Sequence, residues 1–444
     1  MQPALLDKVR GIVGSEYVLT GVELSPYVLE GRTPEAAVFP GSVEEVSHVL
    51  ALASEAGVAV TPWGGGTKIS IGAPPTRLGI VLGLRRLNRL LEHEPGDLTA
   101  TAQGGITLEA LQAALGARGQ WFSLDPAFGR EATLGGILAA NASGPRRHLY
   151  GTARDLLIGV AVVSADGAVV RGGGKVVKNV AGYDLPKLYI GSFGTLGVIV
   201  EATVKLRPLP DDDRLVLAGF ERLKDCGQAV RLVLTSDLIP SAVDLLDGEA
   251  LRGLGLAAGA GVGGALLLGF DGMREQVKWQ CEEAKRVVSE AGPVEHRVLE
   301  AYAREETWRL VREVGRRAFA DPAAVLQLAV LPTQVTEVVE QAGVVAQRNG
   351  LKAAFAAHAA VGVVTAVLAD GGDSAQPVIA TLREWRELVR AAGGHAVLER
   401  APLAVKEQVA VWEPPGAAFR IMERIKAQLD PKGVLNPGRF VGGI

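Results

Sequence analysis

The sequence predicts an α+β protein of two to three domains, and three observations predict it. A chain of 444 residues is too long for one ordinary core, and 48% hydrophobic against 21% charged residues is a globular balance without bulk disorder. Residues 35–210 alternate short helix and strand patterns. After "LPDDDRL" (209–215) the texture changes, and Pro208, Pro210 and the three aspartates mark a domain boundary there.

In chain order, "PGSVEEVSHVLALASEAGVAVTPW" (40–63) reads as a helix followed by a strand. Ser42 and Glu45 have capping-box spacing, Val46, Val49, Leu50 and Ala53 repeat at helical period, and Gly57 ends the helix. "VAVT" is then a buried strand running into "WGGGTK" (63–68). "RLGIVLGL" is another strand, "DLTATAQGG" alternates as a half-buried strand does, and "TLEALQAALGARG" is a capped helix. The stretch 156–173 reads as a hairpin turning at Asp166-Gly167. "GVIVEATVKLRP" is the last strand before the boundary.

From 213 to 400 the strands "RLVLAGF", "GALLLGF", "VLQLAVL" and "VGVVTAVLA" alternate with longer helices over 271–292 and 332–350. This order predicts an antiparallel sheet with helices on one side. The tail "FRIMERIKAQLDPKGVLNPGRF" (419–440) is a short amphipathic helix followed by an extended end. The predicted domains are 1–210, in two α+β subdomains of about 1–95 and 96–210, then 211–400, with 401–444 returning to the first.

Composition excludes several function classes. A net charge of −3 with pI near 6.2 gives no footprint for nucleic acid, and no basic stripe interleaves with aromatics. Asp7 and Lys8 stand where a signal peptide needs its apolar segment, and the longest apolar runs are too short and Gly-rich to span a bilayer. A cytoplasmic protein without a transmembrane segment is expected, any membrane association being made through partners. Two distant cysteines, Cys226 and Cys281, cannot hold an iron–sulfur cluster, and the six histidines form no H-x-H or H-E-x-x-H pair, so no metal site is expected.

The P-loop needs Lys-[Ser/Thr] after its last glycine, whereas Gly66 precedes Thr67-Lys68, and Lys175 of "RGGGKVVKN" precedes Val176. The dinucleotide pattern G-x-G-x-x-G occurs at Gly259, Gly261 and Gly264, but its strand follows the glycines instead of preceding them. The loop at Gly64–Gly66 follows a strand, and Pro74-Pro75 block a helix behind it. A ligand-free tight turn and an anion-binding nest fit that loop equally. Two further stretches favour the nest. "DPAFGREATLGGILAANASGPRRHLYGTARD" (125–155) sets Thr133, Asn141 and Ser143 among small residues, and "GSFGTLGVI" (191–199) repeats the pattern; both suit a long flat ligand lying against backbone.

Together, "PWGGGTKIS", the 125–155 stretch, "KNVAGYDLPKLYIGSFGTLGVI" and "LDPKGVLNPGRF" resemble the FAD-binding oxidases of the vanillyl-alcohol oxidase and p-cresol methylhydroxylase type, over residues 35–210 and 425–440. Within that family the chain is most similar to the smaller flavin subunit of bacterial glycolate oxidases. The resemblance implies a two-part FAD-binding domain with an α+β cap domain of antiparallel sheet and helices. It implies that Trp63, Gly64, Gly65, Gly66, Thr67 and Lys68 cradle the FAD pyrophosphate. Pro126, Thr133, Leu134, Gly135, Gly136, Asn141, Ser143 and Gly144 would run along the ribityl chain and flavin. Gly197 and Ile199 would meet the dinucleotide through backbone groups, with Asn436 a further candidate.

Relatives that bind FAD covalently use a His or Cys where this chain has Gly66-Thr67 and Ala142-Ser143, so non-covalent FAD is implied. The implied activity is that of a 2-hydroxy-acid dehydrogenase subunit acting with a larger flavin subunit and an iron–sulfur subunit. The alternatives are a self-sufficient FAD oxidoreductase on a small hydroxy acid, or a non-catalytic FAD-fold scaffold. The family's His-rich cap motif is reduced here to "FAAHAAVGVVTA" with His358, the later segment reads "GGHAVLERAP" with His395 and Glu399, and Phe193 stands where relatives carry Glu. No catalytic base is assigned from the sequence. Arg146 and Arg147 are candidates for a carboxylate or a flavin phosphate, with a solvated basic turn equally consistent; Tyr183 and Asp184 are expected to pack and cap.

Overall fold

In the computed structural model, which describes residues 2–175, 183–256, 261–369, 371–372 and 374–444, the helix predicted at Ser42 spans Val43–Ala56. Ser42 Oγ accepts from the Glu45 N–H at 3.2 Å, while Glu45 Oε2 accepts from the Gly41 N–H at 2.7 Å. The return bond of the capping box therefore lands one residue upstream of the cap. Gly57 closes the helix in the left-handed region at φ 66°.

The chain groups into two compact units: Met1–Ser143 with Thr152–Pro208 and Pro414–Ile444, and Gly144–Gly151 with Leu209–Glu413. In the first unit, β1 (Val18–Leu19), β2 (Ala36–Val38), β3 (Val60–Trp63) and β4 (Ile80–Gly83) form a sheet in the order β1-β2-β4-β3. The pairs β2–β4 and β3–β4 are parallel, because helix Val43–Ala56 returns the chain between β2 and β3. A second sheet contains β5 (Leu90–Glu94), β6 (Thr99–Gln103), β8 (Leu157–Val163), β9 (Val169–Gly173) and β10 (Val198–Lys205), in the order β5-β6-β10-β8-β9. β7 (Gln120–Trp121) pairs separately with β11 (Arg207–Pro208). The β8–β9 hairpin turns at the predicted Asp166-Gly167, with Gly167 at φ 89°.

Alternation divides the second sheet between two cores. Val160, Val162, Ile199 and Ala202 pack on helices Leu108–Gly116 and Leu134–Ala140, while Ala161, Val163, Val198 and Val200 join the core under the first sheet. The C-terminal end extends that first sheet. The Val60 N–H donates to Val434 O at 2.7 Å, and the Asn436 N–H to Val60 O at 2.9 Å. Lys426, buried in this unit, fixes the junction: its Nζ donates to Thr195 O, Leu435 O and Asp430 Oδ2 at 2.7–2.9 Å.

The second unit is built on eight strands: β12 (Asp212–Phe220), β13 (Ala242–Asp247), β14 (Gly264–Gly272), β15 (Glu295–Glu300), β16 (Pro322–Ala329), β17 (Ala353–His358), β18 (Val363–Ala369) and β19 (His395–Arg400). Their order is β15-β12-β14-β13-β17-β18-β16-β19, antiparallel throughout. The expectation of helices on one side is corrected: both faces are covered. Val216, Ala218 and Phe220 pack with helices Leu223–Leu234, Arg274–Ser289, Val335–Arg348 and Gln376–Ala391. Leu215 and Leu217 pack with Gly248–Gly253, Ala301–Arg312 and Val314–Arg317. The reason is visible in "RLVLAGF": after Arg214 the run is apolar at both parities, which suits a strand buried on two faces. Of the inverted glycine pattern, Gly264 opens β14 as predicted, while Gly259 lies outside the described residues.

Candidate functional site

The strand β3 delivers the triple glycine to a place where no side chain fits. A Cβ on Gly64 would sit 2.2 Å from Thr133 Oγ1, and one on Gly65 would sit 1.7 Å from Glu131 O. Gly66 lies at φ 73°, with its Cβ direction against the Trp63 ring. The loop thus runs backbone to backbone along the segment that begins the next helix. Thr133 is that helix's N-cap, its Oγ1 accepting from the Gly136 N–H at 3.4 Å. Gly135 packs against Gly104, its N–H donating to Gly104 O at 2.7 Å. Gly197 abuts Val162, where a Cβ would be 2.3 Å from Cγ1.

These segments line a cleft within the first unit that is open to solvent on one side. Its walls include Gly64–Lys68, Thr133, Gly135, Gly136, Gly197, Ile199 and Asn436 from the sequence candidates. Trp63, Pro126, Leu134, Asn141, Ser143 and Gly144 do not line it. Trp63 stands edge-on to Tyr27 at 5.4 Å, and the Leu134 side chain is fully buried in the core. Asn141 caps its helix at φ 48°, and Gly144 groups with the second unit.

Sequence reasoning missed Phe193, Gly194, Ala139, Ala140 and Arg439, which also line the cleft. Phe193 holds φ 51° and offers its carbonyl to Asn436 Nδ2 at 2.7 Å. Arg439 is 2% exposed and donates to the carbonyls of Ile69, Ile71 at 2.6 Å and Ala73 at 3.0 Å. Burial lowers its pKa to about 10, so the guanidinium remains charged at neutral pH. It is the peg on which the loop behind the glycines is wound. The "GSFG" glycines signalled the Phe193 turn, but nothing near "NPGRF" signalled the partners of Arg439.

A wall of glycine backbone, a lysine and two threonine hydroxyls fits a long anionic cofactor, since the absent side chains let backbone N–H groups approach a phosphate closely.

The second unit holds Arg146, Arg147, His358, His395 and Glu399, and the first holds Tyr183 and Asp184. Of the two arginine candidates, Arg146 is engaged by carboxylates of its own unit: it pairs with Asp213 and lies 3.5 Å from Asp271, and Arg304 also reaches Asp213 at 2.7 Å. Tyr150 donates its hydroxyl to the same Asp271. His358 Nδ1 lies 2.9 and 3.0 Å from the two carboxylate oxygens of Asp244, which is 1% exposed. The pair is set by register, Asp244 on β13 facing His358 on β17. His395 is exposed at the start of β19. Tyr183 is 92% exposed rather than packed, and Asp184 pairs with Lys187. Residues 176–182 of "KVVKNVAGYD" lie outside the described residues. Among the described residues no helix is long and apolar enough to cross a membrane, and no group of three His, Cys, Asp or Glu is placed to hold a metal ion.

The chain thus combines a unit that holds a glycine-walled cleft with a unit built on an eight-stranded antiparallel sheet. p-Cresol methylhydroxylase with substrate bound shares this fold with a TM-score of 0.77 at 18% identity, covering 98% of this chain and 96% of that one. Residues 34–173 match the FAD binding domain family, and residues 209–440 match the C-terminal domain of FAD linked oxidases. The chain belongs to the FAD-linked oxidases, and its cofactor is FAD. It is 31% identical to glycolate oxidase subunit GlcD of Bacillus subtilis (strain 168), covering 92% of this chain and 89% of the relative. It is 30% identical to a D-lactate dehydrogenase of Archaeoglobus fulgidus, covering 94% of both.

Proposed function

We propose that the chain is the smaller FAD-binding subunit of a glycolate-oxidase-like 2-hydroxy-acid dehydrogenase, working with a larger flavin subunit and an iron–sulfur subunit. The observation that carries this reading is the glycine-walled cleft with Lys68 and Thr133, in a chain similar over nine-tenths of its length to a glycolate oxidase subunit. Gly64–Lys68 would hold the pyrophosphate. Thr133, Gly135, Gly136, Gly197, Ile199 and Asn436 would line the rest of the dinucleotide, with Trp63, Pro126, Leu134, Asn141, Ser143 and Gly144 supporting it. Bound FAD supplies a two-electron acceptor for oxidation of the carbon that bears the hydroxyl. The chain's own part is to exclude side chains from the phosphate path and to keep Lys68 beside it. Thr67 and Ser143 stand where covalent relatives place His or Cys, so the flavin is held without a bond to the protein.

The need for partners follows from residue content. Two buried cysteines cannot ligate a cluster, so electrons leave through another subunit. Acid precipitation of purified holoprotein should leave yellow flavin in the supernatant; a flavin-bearing pellet contradicts the non-covalent reading. Anaerobic addition of glycolate or D-lactate should bleach the flavin of the co-purified complex but not that of the isolated chain.

Bleaching of the isolated chain favours a second reading, a self-sufficient dehydrogenase of small 2-hydroxy acids. The full-length similarity to a D-lactate dehydrogenase and the His358–Asp244 pair support that reading.

A further inference from the structure

The turn at residues 144–151 is pinned at both ends and leaves two basic side chains between the pins. Arg146 is fixed by Asp213 and Asp271, and Tyr150 by Asp271. Inside the turn the Arg147 N–H donates to Gly144 O, and the Gly151 N–H to Arg147 O, both at 3.1 Å. Arg147 and His148 are half-buried, and neither side chain makes a hydrogen bond or ion pair with any described residue. The turn packs against β13, which carries Asp244 and through it the ring of His358. Burial lowers the pKa of both Arg147 and His148; the charge of Asp244 opposes this at His148, and no carboxylate opposes it at Arg147.

A half-buried guanidinium without a counter-charge is unfavourable, and a fold that spends two carboxylates on its neighbour could have supplied one. Guanidinium geometry matches a carboxylate bidentately, which a lysine does not. We propose that Arg147 binds the carboxylate of a small 2-hydroxy acid, with His148 beside it and Asp244, the partner of His358, on the strand that the turn packs against. The proposal deepens the function proposed above and rests on it. The pins at Arg146 and Tyr150 and the backbone bonds of the turn hold the backbone of Arg147, so a carboxylate paired bidentately with its guanidinium is oriented and not merely collected.

The test uses the FAD-loaded protein as purified, alone or in its complex, titrated anaerobically with oxalate, glycolate and D-lactate by calorimetry. A second readout follows ring-¹³C-labelled histidines, with the His148 signal assigned through His148→Gln. Arg147→Gln should weaken oxalate binding about 10- to 100-fold, the loss of one charge-assisted pair, with flavin content and melting temperature kept. Arg147→Lys, which keeps the charge and guards against a folding defect, should fall between, and Arg118→Gln, on the exposed surface of the first unit, should bind as wild type. Oxalate should move the His148 signal in wild type and not in Arg147→Gln. Unchanged oxalate affinity in folded, flavin-loaded Arg147→Gln overturns this inference and leaves the proposed function standing. Inorganic phosphate binding as tightly as oxalate also overturns it, because the site would then be a general anion site. Wild-type protein that neither binds nor is reduced by any of the three acids overturns the proposed function itself.

Discussion

Gly65 is the tightest position of the cleft, because its missing Cβ would lie 1.7 Å from the carbonyl of Glu131. Two backbones touch there, so no rotamer change can make room. Gly65→Ala is expected to lose about 1–3 kcal/mol from overpacking and to lower FAD affinity at least tenfold, read from melting curves and flavin fluorescence titration. Asp247 offers a different single-residue test. Its Oδ1 accepts from the N–H groups of Ala250 and Phe355, both at 2.9 Å, while burial pushes its carboxyl up from 3.8 to about 6. The folded state therefore binds this proton more tightly than the unfolded state does. The resulting stability is fully present below pH 3.8 and is lost as pH rises through about 6. Asp247→Asn keeps the oxygen acceptor and removes the titration. Its melting temperature relative to wild type should rise between pH 4 and pH 7; parallel curves would show that Asp247 does not titrate in that window.

At the scale of elements, the loop after the glycines takes its shape from the chain terminus. Arg439 binds three carbonyls of residues 69–73, and Gly72 must be glycine because a Cβ would meet Arg439 O at 2.9 Å. Arg439→Met leaves those carbonyls without their donor, at about 1–3 kcal/mol for each one that stays buried. FAD affinity should fall with the loop while the far-ultraviolet circular dichroism of the sheets is retained. The local elements were legible in the sequence because their causes are local. Ser42 caps its own helix, Asp166-Gly167 turns its own hairpin, and Thr107 caps Leu108–Gly116 through the Ala110 N–H at 3.3 Å. Helices cover both faces of the large sheet because "RLVLAGF" and "GALLLGF" are apolar at both parities, whereas the expectation of one covered face suits strands that alternate.

At the scale of the molecule, the first unit is discontinuous, and its last piece is structural. Val434 and Asn436 bond to Val60, and Asp430 accepts from the N–H groups of Val434 and Leu435 at 2.9 and 2.8 Å. A chain ended after Glu413 lacks this piece as well as Asn436 and Arg439 of the cleft. Such a truncation should purify without flavin and melt with a lost or broadened transition, whereas a yellow, cooperatively melting product would show that the terminus is dispensable.

The sequence by itself determined the α+β class, the glycine loop and the small-residue stretch from Thr133 to Gly136, because each depends on neighbours within a few positions, and a count of two cysteines leaves too few thiolates for a cluster. Only the tertiary structure decided which candidates share the cleft. Leu134 faces the core and Gly135 the cleft because the helix turns by about 100° per residue once Thr133 has fixed its start. It also decided that Arg146 is committed to Asp213 and Asp271 while Arg147 is not. Adjacent arginines are equivalent in a sequence; 67 and 125 residues separate Arg146 from the carboxylates that bind it, and chain folding alone brings those charges to one side chain.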